Sequence, residues 1–246
     1  VSTLTQVNIA NLALSRIGAK AITTMADNTP TALAVNTWWT QAVSIVARSA
    51  PWNCLMKRMM VDPVAGYPPA VVDNVVPEYL YEWSAEYQLP ADYVRLVELN
   101  GNDVWDADGT FNGDQYEIYG QARLNPAPPA SSSAPALYGP ALFANPDPDP
   151  TTGDPPQADM KYVCYTDDTT VYDSLFIDSL ICILGARVAT GLRKDDAQMA
   201  LALENEFTKV LLPKAIRVNL NEGKPVRYDL ASESRFVASR WGSTNG

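Results

Sequence analysis

Residues 174–190 are apolar on nearly every side. Leu175, Phe176, Ile177, Leu180, Ile181, Cys182, Ile183, Leu184, Ala186 and Val188 leave no broad polar face. A helix of that kind is stable in water only when other elements surround it. The chain must therefore supply partners on several sides, and a helical bundle with this segment at its centre is the expected solution. Asp173 is placed to cap the helix start and Gly191 to stop it. No run reaches about 18 consecutive apolar residues, so no membrane span is expected.

Three further segments carry helical spacing. In residues 4–17, Leu4, Val7, Ala10, Leu14 and Ile17 form a stripe that Ile9, Leu12 and Ala13 widen. Ser2 or Thr3 suits the cap and Gly18 the stop. Residues 23–29 read as a polar turn, and Pro30 fits the first turn of a helix over 31–48. Its expected buried residues are Leu33, Val35, Trp38, Trp39, Ala42, Ile45 and Val46, and Pro51 follows its end. A last helix, from about Asp195, places Met199, Leu203, Phe207, Val210 and Leu211 on one face, with Pro213 as its end or a kink.

The middle follows a different rule. Residues 77–83, 93–99 and 116–119 are rich in aromatic and β-branched side chains, and Asn100-Gly101-Asn102-Asp103 and Asn112-Gly113-Asp114 are turn signals. Antiparallel strands are expected. Gln88-Leu89-Pro90-Ala91-Asp92 reads as a turn into the strand at Tyr93, and 160–165 as a later strand. Between them, residues 125–156 hold ten of the chain's 19 prolines. That density predicts a long loop with no ladder or helix. Leu137, Tyr138, Leu142 and Phe143 within it predict an excursion that is partly pinned, with a neighbouring subunit as the candidate surface.

Function classes narrow on composition. The chain of 246 residues contains no histidine, which removes the commonest general base and metal ligand. Cys54, Cys164 and Cys182 are far apart and suggest buried apolar packing, with no disulfide framework or metal site. No Walker A loop, Gly-x-Ser-x-Gly or dinucleotide glycine pattern is present. Asp147-Pro148-Asp149-Pro150 lacks the central glycine of a calcium loop. The first residues carry neither the basic nor the apolar region of a signal peptide, so none is expected.

Charge is unevenly placed. Residues 73–117 contain eleven acidic side chains and one basic, Arg95, whereas 214–246 contain six basic and three acidic. The two regions therefore suit different partners, unless each merely keeps its own surface soluble. After Asn219 helical period is lost, and cations alternate with aromatics: Arg227, Tyr228, Arg235, Phe236, Arg240 and Trp241. These six are the candidate docking residues of an extended C-terminal arm; a solvated terminus is the plainer reading.

Four segments, in order, resemble the tail adaptor, or tail tubular protein A-like, head-to-tail connectors of podovirus-type phages. They are Asn11-Leu12-Ala13-Leu14-Ser15-Arg16-Ile17-Gly18; Arg48-Ser49-Ala50-Pro51-Trp52-Asn53; Tyr87-Gln88-Leu89-Pro90-Ala91-Asp92-Tyr93-Val94-Arg95; and Tyr172-Asp173-Ser174-Leu175-Phe176. By themselves Pro51-Trp52-Asn53 is a helix stop with a buried indole, and Leu89-Pro90-Ala91-Asp92 a turn. The resemblance implies a structural, non-enzymatic ring of about twelve copies that closes by head-to-tail contact. It implies a portal protein above, a nozzle or tail tube protein below, and genomic DNA passing without specific binding. It implies a virion location at the head–tail interface after synthesis in the bacterial cytoplasm. No cofactor, catalytic residue or membrane is implied. The sequence pI of about 4.5 suits a lumen that repels phosphate. The proline-rich stretch is longer than the resemblance needs, and the arm matches no part of it.

The expected class is thus α+β, mainly α: a helical bundle from 1–62 and 166–218, a central antiparallel β insertion over 63–165 that includes the loop 125–156, and an extended arm over 219–246. The rival functions are a tail-associated glycan hydrolase and a receptor-binding tail protein. The first would need two carboxylates about 5–10 Å apart in a cleft, with Glu78, Glu82, Glu86, Asp92 and Glu98 as candidates. The second would be β-rich, unlike the helical ends of this chain.

Overall fold

A computed structural model describes residues 4–64, 85–100, 102–103, 116–119, 141–144, 157–192 and 197–222. The protein is α+β and mainly α. Among the described residues two helices, α1 (Gln6–Arg16) and α2 (Pro30–Ser49), precede seven strands, and three helices follow: α3 (Ser174–Leu192), α4 (Ala197–Glu206) and α5 (Leu212–Glu222).

Helix α3 is the axis. Its Leu180, Ile181 and Leu184 are buried, and α1, α2 and α4 pack around it. By length and apolarity it could cross a bilayer, but 61% of that apolar window lies inside the protein. Asp173 caps it as expected: its Oδ1 accepts from the Phe176 N–H at 2.7 Å. Gly191 does not stop it. The helix runs on to Leu192, with Gly191 against Trp38 of α2, and this packing offsets the low helix propensity of glycine. Gly185 answers a tighter constraint. A Cβ there would lie 3.2 Å from Leu203 of α4 and 3.5 Å from the Ala13 carbonyl of α1, so its bare backbone lets three helices approach.

The other helices differ from expectation at their caps and edges. Helix α1 is capped by Thr5, whose hydroxyl accepts from the Asn8 N–H, and not by Ser2 or Thr3. Gly18 follows its end in the left-handed region, φ +64°. Asn11 then holds the next loop by a reciprocal pair with the Ile22 backbone at 2.9 and 3.0 Å. Thr29 caps α2, with Pro30 in its first turn. Leu33, read as core, is 54% exposed, because it falls outside the arc that α2 turns toward α3. Leu12 is exposed too.

Pro213 does not end the last helix. Its missing N–H would have bonded the Lys209 carbonyl, and its ring crowds that position. The chain widens into a π turn at Phe207–Leu211, closed by the Leu212 N–H on the Phe207 carbonyl, and continues as α5 to Glu222. The extra residue rotates the apolar face. Leu203 and Phe207 are buried as expected, whereas Val210 within the π turn faces outward; Met199, ahead of the turn near the start of α4, is exposed as well. Helical structure therefore reaches past Asn219, which is itself buried.

The strands form two antiparallel sheets. The first has the order β1 (Met56–Val61), β7 (Ala158–Cys164), β3 (Tyr93–Leu99) and β4 (Asn102–Asp103). Strands β3 and β4 oppose Leu99 to Asn102, and Asn100, just after β3, sits in the left-handed region at φ +51°. The second sheet has the order β2 (Ala85–Gln88), β6 (Ala141–Ala144) and β5 (Tyr116–Tyr119). Strand β6 corrects the reading of 125–156 as strandless. It is the middle strand, buried along its length. The four residues between Pro140 and Asn145 contain no proline, so every N–H needed for two ladders is present. Leu142 and Phe143 pin the segment to its own chain. The strand expected at 77–83, the turn at 112–114, and Leu137 and Tyr138 lie outside the described residues.

Candidate functional site

Three of the four resemblance segments converge where the helices meet the first sheet. Pro51 ends α2, and Trp52 turns inward with no exposed surface. Its Nε1–H donates to the Val46 carbonyl at 2.6 Å, satisfying one of the last open acceptors of α2. The indole meets Phe176 edge to face, and the Tyr172 ring lies against Phe176 at a tilt, with centroids 4.5 Å apart and planes at 49°. The second and fourth segments thus form one aromatic cluster. Asn53 donates to the Asn219 carbonyl at 3.2 Å, tying the same corner to α5.

The third segment joins this corner through its polar groups. Arg48 Nη2 donates to the Val94 carbonyl at 3.1 Å, and Arg95 Nη1 to the Arg48 carbonyl at 3.4 Å. Burial and the neighbouring Arg48 charge hold the Arg95 guanidinium below its ordinary pKa. Asp92 accepts from the Tyr162 hydroxyl at 3.0 Å and from the Lys57 ammonium at 2.5 Å. Burial alone would push its carboxyl up, but these two donors outweigh burial and hold it below the usual carboxylate range.

A row of charge crosses the sheet beside this corner. Arg58 of β1, Lys161 of β7 and Glu98 of β3 oppose one another in register. Glu98 is only 3% exposed, and both cations stand 3.8 Å from it. Arg58 also pairs with Asp159, with Nε at 2.8 and 3.1 Å from the two carboxylate oxygens. A carboxylate this deep requires such partners.

Of the hydrolase candidates, Asp92 and Glu98 are therefore engaged by cations within the protein. Glu86 is buried in β2, opposite Phe143 of β6. Glu78 and Glu82 lie outside the described residues. Among the described residues no group of three or more acidic or cysteine side chains converges as a metal site. All three cysteines are unpaired. Burial pushes the Cys54 thiol up to about 12 and the Cys182 thiol up to about 11, so neither is a thiolate nucleophile near neutrality.

The candidate docking residues Arg227, Tyr228, Arg235, Phe236, Arg240 and Trp241 lie outside the described residues. A cleft that sequence reasoning did not find opens between α1, α3 and the π turn, with a volume of about 300 Å³. Leu12, Ile181 and Leu211 form its apolar wall; Arg16, Asp178 and Glu206 supply charge. Arg16 and Glu206 clasp across its mouth. The sequence carried no signal for it: Leu12, exposed at the cleft, counts as core in a helical reading. No protein-family model matches the chain, and no curated protein matches it.

Proposed function

We propose that this protein is a structural head-to-tail adaptor of a tailed phage. It forms a ring of about twelve copies below the portal, and DNA passes through its lumen. The observation that carries the reading is the corner where Trp52, Phe176, Arg48, Arg95 and Asp92 meet. Three of the four resemblance segments have their polar and aromatic groups committed there to joining helices to sheet. The remaining segment pins the α1 loop through Asn11. Residues used this way build a rigid wedge, as a ring subunit requires, and leave none of these side chains to chemistry.

Several features fit a passive conduit. The net charge of −10 disfavours adhesion to DNA phosphate. Cation pairing of Asp92 and Glu98 disfavours the glycan hydrolase alternative, which needs carboxylates open to substrate. A helical framework around α3 disfavours a β-rich receptor-binding protein. The arm of Arg227, Tyr228, Arg235, Phe236, Arg240 and Trp241 then supplies contacts to the portal or to a neighbouring copy.

The test is co-sedimentation of the purified chain with a purified portal ring. Saturation at one chain per portal subunit supports an adaptor. No association at any concentration, or glycan hydrolysis that Glu→Gln changes at 78, 82 and 86 abolish, excludes it.

A further inference from the structure

The cleft between α1, α3 and the π turn combines an apolar wall with unbalanced charge. Leu12 is 42% exposed at its rim, which is unusual for a leucine on a helix whose other large aliphatics are covered. Arg16 brings one positive charge, and Asp178 and Glu206 bring two negative ones. Arg16 and Glu206 satisfy each other. Asp178 forms no ion pair among the described residues and stands exposed beside the apolar wall. The cleft thus suits an apolar group carrying a neighbouring cation, and an aromatic ring in particular, because the Arg16 guanidinium can stack on its face.

The chain carries such a segment close by. Residues 235–241, Arg-Phe-Val-Ala-Ser-Arg-Trp, contain two cation–aromatic pairs and no acidic residue. Leu211 lines the cleft and directly precedes α5, whose 11 residues span about 16 Å. From Glu222 to Arg235 the chain can extend about 40 Å. It can therefore return along α5 to the cleft with length to spare. A tethered segment that can reach its site meets it at a high effective concentration, ahead of any second molecule.

We infer that residues 235–241 dock in their own chain's cleft, the Phe236 or Trp241 ring against Leu12, Ile181 and Leu211 and an arginine facing Asp178. The cleft is thereby the resting place of the arm, which must leave it to engage another surface. The assignment does not depend on ring formation. It rests on the cleft's composition, the segment's opposite charge and the length of chain between them.

Hydrogen–deuterium exchange on the full-length protein at low concentration tests this. Amides of 235–241 should exchange at least about tenfold more slowly than in the free peptide. Asp178→Lys and Leu12→Arg each change an exposed residue and should return that exchange to the peptide rate while the melting temperature holds. Phe236→Ala combined with Trp241→Ala should do the same. Peptide-rate exchange in the wild type overturns the proposal, as does protection that both cleft variants leave intact. Protection that appears only as protein concentration rises assigns the cleft to a second copy and overturns docking within one chain.

Discussion

Trp52 and Phe176 meet edge to face, with ring centroids 5.2 Å apart and planes at 89°. Trp52 follows the end of α2 and Phe176 lies in the first turn of α3, so this contact fixes the angle at which the two halves of the helical layer join. Both side chains are fully buried. Trp52→Ala should lower unfolding free energy by about 3–5 kcal/mol. A double-mutant cycle with Phe176→Ala should give a coupling of about 0.5–1.5 kcal/mol from the aromatic pair itself. Urea unfolding of the four proteins measures it, and strict additivity would show that the contact does not join the halves.

Leu184 and Leu33 form a second contrast. Leu184 has no exposed surface in α3, while Leu33 is largely exposed on α2. Leu184→Ala should cost about 2–5 kcal/mol, and Leu33→Ala less than about 0.5 kcal/mol. Thermal melts of the two variants check the assignment. Equal losses would mean that α3 is not the axis of the bundle.

The Asp92 carboxyl predicts acid sensitivity with a definite sign. Its pKa is lower in the folded protein than in the unfolded chain, because the Lys57 and Tyr162 donors outweigh burial. Its contribution is therefore present above the ordinary carboxylate value near 3.8 and is lost as pH falls through the lower folded value. Lys57→Ala should make the protein less stable at pH 7 and flatten the fall in stability below about pH 4. Solvent screening keeps the effect small, since Lys57 is half exposed. Chemical unfolding at pH 7 and pH 3 reads the difference; an unchanged slope contradicts it.

Strand β6 makes the proline-rich stretch harder to remove than its composition suggests. On sequence grounds, excising 126–155 leaves the helical domain folded and impairs only assembly. In the fold that deletion takes away the middle strand between β2 and β5. Phe143→Ala, at a buried position, should already cost about 3–5 kcal/mol. A melting temperature unmoved by this change would show the stretch to be no more than a spacer.

How far the sequence reveals the fold can be seen at particular residues. The axis helix was legible because ten apolar side chains in one short run have no other place in water. Pro30 and Asp173 were legible because helix starts have local chemistry, whereas Thr29 was read as turn and caps α2. What failed was whatever depends on distant partners. The inward arc of α2 is set by α3, so Leu33 could not be told from Val35. Pro213 was read as an end or a kink; the helix continues through it by way of a π turn, which a local count does not show. Strand β6 was hidden because its flanking prolines dominate any local count, while its stability comes from β2 and β5. The site was less legible still: Arg16 and Glu206 lie 190 positions apart in sequence, and nothing local announces that they share a cleft.

As proposed, this chain is a ring component at the head–tail junction. Symmetry is its most direct consequence. Electron cryomicroscopy of the chain bound to a portal ring should show one closed layer with the portal's own rotational order, about twelve-fold, the helical wedge forming the wall. A single copy at the portal axis, or density scattered without rotational order, would contradict it.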